Sequence, residues 1–230
     1  MPKSLLAALC AALLLASCAT PQKKNPLSFD KAPLFGMIYD EDNQPCAGAR
    51  LIIDGVEGKG ETGLVTDIRG RFVLPDLPPG EHHLVARKEG YEELSAKIVF
   101  LNSTDALFLR MVSFGQLLTN AEKALEERKW EQAGDFLARA GKLDPGDSVF
   151  LCLQAVKAYR TGCYPEAVGF LNGILESGIH EPSVYLFLAD IYEKKLCDQE
   201  KAIENLQLYL GKRADSDVEQ RLAELKATEK

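Results

Sequence analysis

The chain has 230 residues, 46% of them hydrophobic and 27% charged, which is enough for one large or two small domains that each bury a core. Its formal net charge is −7, and no basic stripe runs along it, so the electrostatic footprint of a nucleic-acid binder is missing. The six cysteines are scattered without the spacing of a metal site.

The first elements concern address. Met1-Pro2-Lys3 gives a positive start, an apolar run from Leu5 to Leu15 follows, interrupted by Cys10, and Leu15-Ala16-Ser17-Cys18 closes it. The run is roughly half of the ~20 residues needed to span a bilayer, and small residues precede Cys18, so a cleaved export signal is expected over a retained membrane helix. Leu15-Ala16-Ser17-Cys18 resembles the lipobox of bacterial lipoproteins. That resemblance implies lipidation of Cys18, with palmitate an expected acyl group, and an anchor in the cytoplasmic or outer membrane facing the periplasm or exterior. The alternative is an ordinary signal peptide with a chance cysteine. Expected segments are a signal peptide at 1–17 and a lipidated cysteine with a flexible tether at 18–33, rich in Pro, Gln, Lys, Asn and Ser. Without Lys3 the mature charge is −8, and Lys23, Lys24 and Lys31 would sit near anionic headgroups. Of the remaining cysteines, Cys46, Cys152, Cys163 and Cys197 are expected as buried small hydrophobes, with oxidation in an exported chain the alternative.

From 34 to 113 the sequence alternates short apolar runs with Gly, Pro, Asn and Asp. Strands are predicted at 34–40, 49–54, 64–67, 71–74, 82–88, 95–101 and 105–112, which suggests an antiparallel β-sandwich. Turns fall at Asp42-Asn43-Gln44-Pro45, Asp67-Ile68-Arg69-Gly70, Leu77-Pro78-Pro79-Gly80 and Glu89-Gly90-Tyr91. The order of Gly36-Met37-Ile38-Tyr39-Asp40, Gln44-Pro45, Gly48-Ala49, Thr66-Asp67, Gly70-Arg71-Phe72, Leu77-Pro78-Pro79-Gly80 and Gly90-Tyr91 resembles the carboxypeptidase regulatory-like domain. The resemblance implies a transthyretin-like sandwich that is a non-catalytic appendage. Tyr91 and Phe72 are expected as core and corner residues; a sugar-stacking role for Tyr91 is the sharper alternative.

From Phe114 the apolar spacing becomes helical. Trp130-Glu131-Gln132-Ala133 recurs as Tyr164-Pro165-Glu166-Ala167, 34 positions later, and more weakly as Gln199-Glu200-Lys201-Ala202, 35 later. This period, with Ala and Leu at the packing places and Lys142-Leu143-Asp144-Pro145 ending the first copy, resembles the tetratricopeptide repeat. The expected architecture is therefore multidomain, an antiparallel β-sandwich followed by an α-helical superhelix at 114–230, with three repeats and a capping helix at 217–226. The extra residue of the third copy is expected in the turn around Leu196 to Gln199.

Repeats of this kind resemble peptide binders that use the concave face of their first helices. By register that face holds Leu118, Glu122, Leu125 and Glu126, then Cys152, Val156, Tyr159 and Arg160, then Leu186, Asp190, Glu193 and Lys194. Its mixed character favours a peptide or helix over an anionic polymer. His82 and His83 are neighbours on a strand and point to opposite faces, and His180 has no partner at ligand spacing, so no metal and no cofactor is expected. The glycines of 55–63 read as a hairpin loop rather than a phosphate cradle. With no nucleophile motif found, the expectation is a non-enzymatic adaptor for an envelope protein or peptide partner; the alternative is a carbohydrate or peptidoglycan binder using Tyr91 and the 55–63 loop.

Overall fold

The structure, a computed structural model, describes residues 31–54, 64–101 and 106–228. The expected export signal, Cys18, most of the expected tether and the hairpin loop expected at 55–63 lie outside the described residues. Seven strands come first among those described: β1 (Ala32–Tyr39), β2 (Arg50–Ile53), β3 (Leu64–Val65), β4 (Arg71–Leu77), β5 (Gly80–Arg87), β6 (Leu94–Phe100) and β7 (Ala106–Arg110). They form two sheets, ordered β4-β1-β7 and β3-β2-β5-β6.

Inward residues alternate along the strands, as a half-buried sheet requires. Ile38, Leu77, Leu84 and Met111 are the large side chains most fully enclosed between the sheets. Burial pushes the Cys46 thiol pKa up, so it stays protonated and packs as a small apolar group. Gly36 and Phe72 face each other across β1 and β4, and a Cβ at Gly36 would lie 2.1 Å from the Phe72 ring. The glycine is therefore the space in which that ring lies.

One pairing corrects the antiparallel expectation. β7 runs parallel to β1, with Phe35 opposite Ala106 and Tyr39 opposite Arg110. Antiparallel neighbours are enforced by short hairpins; these two strands are joined instead through the rest of the sandwich, and β7 enters from the opposite sheet. Strand ends shift as well. β4 continues through Pro75 to Leu77 because it is an edge strand, where a missing N–H is tolerated. β3 stops at Val65 because the next two residues build the corner with their side chains. Thr66 Oγ1 donates to Cys46 O at 2.6 Å and accepts from Ala49 N at 2.9 Å. Asp67 Oδ1 accepts from the backbone N–H groups of Arg69 and Arg71.

Those bonds and the Arg71 guanidinium, at 2.9 Å from Asp67 Oδ2 through Nε, lower the Asp67 pKa from 3.8 to about 2, with the Arg71 side-chain bond the largest cause. A depressed carboxyl stabilises the fold above its ordinary value and loses that contribution as pH falls through about 2. A side-chain carboxyl NMR titration should therefore place Asp67 near 2. In Arg71→Gln the midpoint should return towards 3.8; an unmoved midpoint would mean that the turn amides alone hold the charge.

Seven helices follow: α1 (Phe114–Glu126), α2 (Trp130–Ala140), α3 (Ser148–Arg160), α4 (Tyr164–Glu176), α5 (Pro182–Ile191), α6 (Gln199–Leu210) and α7 (Ser216–Thr228). Ser113 caps α1 in a reciprocal box with Gln116, and Asp147 caps α3 by accepting from Phe150 N at 2.9 Å. The helices pair as α1/α2, α3/α4 and α5/α6. Ala133, Ala167 and Ala202 are fully buried, each where a larger side chain would push the two helices of a pair apart.

The joint inside each pair is also repeated. Arg128, Gly162 and Cys197 adopt left-handed φ values of 57°, 83° and 54°. The extra residue of the third copy lies upstream of the predicted place. A π-helical turn, Tyr192–Leu196, continues α5, and Asp198 N then bonds back to Tyr192 O, six residues earlier. The corresponding bonds, Lys129 N to Ala124 O and Cys163 N to Ala158 O, each span five. The insertion is thus absorbed as one widened turn, the usual geometry of a π-bulge, and α6 resumes in register.

Cys152, Cys163 and Cys197 correct the burial expectation: all are exposed, and with buried Cys46 all four are free thiols. Cys163 stands at the N-cap position of α4 and Cys197 ends the π turn, positions that face solvent by construction, while Cys152 lies on the first-helix face of the array.

The sandwich and the array are joined without slack. Phe114 N donates to Gly90 O at 2.8 Å and Glu92 N to Val112 O at 2.9 Å, so the chain leaves β7 under backbone restraint. Side chains reinforce the joint: Gln116 Nε2 to Asp42 Oδ2 at 2.6 Å, Asn120 Nδ2 to Glu41 Oε2 at 3.1 Å, and a two-pronged Arg139–Glu92 ion pair with Nε at 2.9 Å from Oε1. The hydrogen bond to Glu92 raises the Arg139 pKa against the opposing effect of burial.

Candidate functional site: the first-helix face of the array

The face read from repeat register is built by α1, α3 and α5, and its residues divide into three kinds. Leu118 and Leu125 are buried and belong to the packing of the array. Leu118 lies with Leu117, Leu137 and Phe150, and Leu125 lies with Ala124 and Ala133 against Trp130, Leu153 and Val156. Any partner would meet little of either side chain.

Val156 and Tyr159 are half-buried and form the seam between repeats. Tyr159 makes edge-to-face contacts with Tyr164 at 5.7 Å and Phe187 at 5.3 Å, and Lys195 Nζ stands 5.7 Å from its ring centre. Leu186 is likewise half-buried, against the cluster of Tyr185, Leu206 and Tyr209.

The third kind is exposed or charged. Glu122, Glu126, Cys152 and Arg160 face solvent, and Glu122, Glu126 and Arg160 make no ion pair among the described residues. In the third repeat the charges are already engaged. Arg221 of α7 lies 2.7 Å from Asp190 Oδ1 and also pairs with Glu193, while Lys194 reaches Asp190 at 3.0 Å. Burial works against the Arg221 charge, but the hydrogen bonds to Glu193 and Asp190 outweigh it and hold its pKa above the ordinary value. The capping helix therefore covers the third-repeat part of the face, which leaves the first two repeats as its open portion. Arg221 is separated from these carboxylates by 28 to 31 positions, and no local sequence pattern announces the contact.

On the sandwich, His82 is buried with Nδ1 at 3.2 Å from Asp54 O and Nε2 at 2.7 Å from Pro78 O, whereas His83 faces out to Ser95. His82 therefore ties two loops together from inside. His180 bonds to Tyr185 Oη at 2.8 Å through Nδ1. Among the described residues no three His, Cys, Asp or Glu side chains gather as a metal site, and no helix is long and apolar enough to cross a membrane. Tyr91 packs on the sandwich core, and Lys88 Nζ lies over its ring at 4.2 Å from the centre, so that face of the ring is covered against a sugar.

The two-sheet sandwich with its glycine-supported corners has a recognisable family. Residues 33–111 match the family model of the carboxypeptidase regulatory-like domain. Two glycines in that span have clear places: Gly36 makes room for Phe72, and Gly70, in the left-handed region at φ +72°, accepts from Ile38 N at 2.8 Å. No curated protein matches the chain. Solved structures resembling the helical half include the Arabidopsis OM64 TPR domain, at 16% identity over 50% of this chain and 94% of that one, with a TM-score of 0.44. The Yersinia enterocolitica type III secretion chaperone SycD, in complex with a peptide of the translocator YopD, gives 21% identity over 50% and 94%, with a TM-score of 0.46. The N-terminal domain of stress-induced protein-1 from C. elegans gives 18% over 49% and 94%, with a TM-score of 0.45. The repeat assignment here rests on the recurring alanines, the left-handed joints and the helix pairing.

Proposed function

We propose that the chain is a lipid-anchored, non-enzymatic adaptor of the bacterial cell envelope that holds a protein or peptide partner on the open first-helix face of repeats one and two. The observation that carries this reading is the set of exposed, unpaired charges Glu122, Glu126 and Arg160 beside the half-buried seam of Val156 and Tyr159. A short apolar strip flanked by charges of both signs suits an amphipathic helix or extended peptide. Cys18 supplies the anchor in this reading, on the strength of the lipobox-like tetrapeptide.

Crosslinking and pull-down from native membranes tests the face. Glu122→Lys combined with Arg160→Glu leaves the buried packing of Leu125 and the ring contacts of Tyr159 intact. Partner recovery should fall roughly tenfold, as expected when charges flanking a contact are reversed. Unchanged recovery would remove the face from consideration. In the same preparation Cys18→Ala should move the protein out of the membrane fraction; retention there would rule out acylation as the anchor.

A further inference from the structure

The outer surface of the β3-β2-β5-β6 sheet carries an open hollow of about 660 Å³ lined by Arg50, Ile52, Arg87, Lys88, Tyr91 and Glu93, among others. Arg50 and Arg87 are direct cross-strand partners, and both side chains are exposed. Like charges placed opposite one another weaken a strand pair, so this arrangement works against the sheet that holds it. Glu93 answers only one of the two, accepting from Arg87 Nε. The Arg50 side chain has no hydrogen-bond or ion-pair partner among the described residues. A third cation, Lys88, is held at the wall by the Tyr91 ring rather than by a carboxylate. In a chain of net charge −7, three cations thus converge on one hollow.

We propose that this hollow binds a small oxyanion, a carboxylate or phosphate group, bridged between the guanidinium groups of Arg50 and Arg87. Each planar guanidinium can offer two parallel N–H donors to such a group, and a bound anion converts the repulsion across β2 and β5 into two attractions. Glu89 and Glu93, which also line the hollow, repel an extended polyanion while leaving room for a compact one. The site is on the sandwich, so it stands or falls independently of the helical face.

The test follows the arginine side-chain N–H signals of the full chain by NMR at low ionic strength, titrated separately with inorganic phosphate and with succinate. Chloride at matched ionic strength serves as reference. Saturable shifts at Arg50 and Arg87 are expected, with binding weakened roughly tenfold in Arg50→Gln by loss of one guanidinium fork and unchanged in Arg69→Gln, an exposed arginine outside the hollow. Tighter binding of phosphate or of succinate identifies which oxyanion the site prefers. Shifts that do not saturate, that appear equally with chloride, or that weaken equally in Arg69→Gln would overturn the proposal.

Discussion

Gly70→Ala is expected to destabilise the sandwich by about 3 kcal/mol or more. Gly70 has φ +72°, and a Cβ there would lie 2.4 Å from Ile38 O, with Cys46 N at 3.2 Å and Pro45 Cβ at 3.3 Å. The first obstacle is backbone, so no rotamer change relieves it. The same backbone is already committed: Ile38 N donates to Gly70 O at 2.8 Å, and Ile38 O accepts from Cys46 N at 2.9 Å. Moving β1 away would break both bonds in the centre of its sheet. Gly90→Ala provides the comparison, because its φ is +74° but nothing lies within 4 Å of the added methyl. That variant should lose only the left-handed conformational cost, about 1 kcal/mol. Urea unfolding of both, with unchanged m-values, measures the difference. Equal losses would show that the corner can shift and that the close approach has little energetic weight.

The second large effect is Leu188→Ala, expected to cost about 2 to 5 kcal/mol. Leu188 is 1% exposed and packs with Ala155, Ala158, Ala167, Leu171 and Ile174, so it ties α5 to the preceding repeat. In a stacked array each repeat is stabilised by its neighbour, and a cavity at one interface is felt mainly on the side that has fewer neighbours left. Hydrogen exchange should therefore accelerate first in α5, α6 and α7, while the sandwich and α1 keep their protection. Uniform acceleration along the chain would mean instead that array and sandwich open together.

What was legible in the sequence depended on the range over which each signal acts. The seven strands were readable because alternation and turn residues are local, and the helix pairs because Ala133, Ala167 and Ala202 recur at a near-constant spacing. The parallel pairing of β1 with β7 was not, since strand direction across a sheet is set by the path of the intervening chain. Repeat register places Leu118 and Leu125 on the first-helix face without revealing how far they sink between helices. That depth depends on Phe150, Leu153 and Val156 of the next repeat. The engagement of Asp190 and Glu193 by Arg221, and of Glu92 by Arg139, joins residues that no pattern connects. For Cys163 and Cys197 residue type suggests burial, while their places at helix joints require exposure.

The pairing of β1 with β7 has a further consequence, for the order in which the protein assembles. Phe35 meets Ala106 across 106 − 35 = 71 positions, a long loop to close, whereas the helix pairs close between near neighbours. High contact order slows folding and low contact order speeds it. During synthesis β1 must wait until nearly the whole sandwich has emerged, with its β7-facing edge open to incorrect partners meanwhile. Because only residues 111 to 113 separate β7 from α1, closure of that edge coincides with docking of the first repeat. The slow step of the sandwich is thus expected to set when the fast-folding array acquires its foundation.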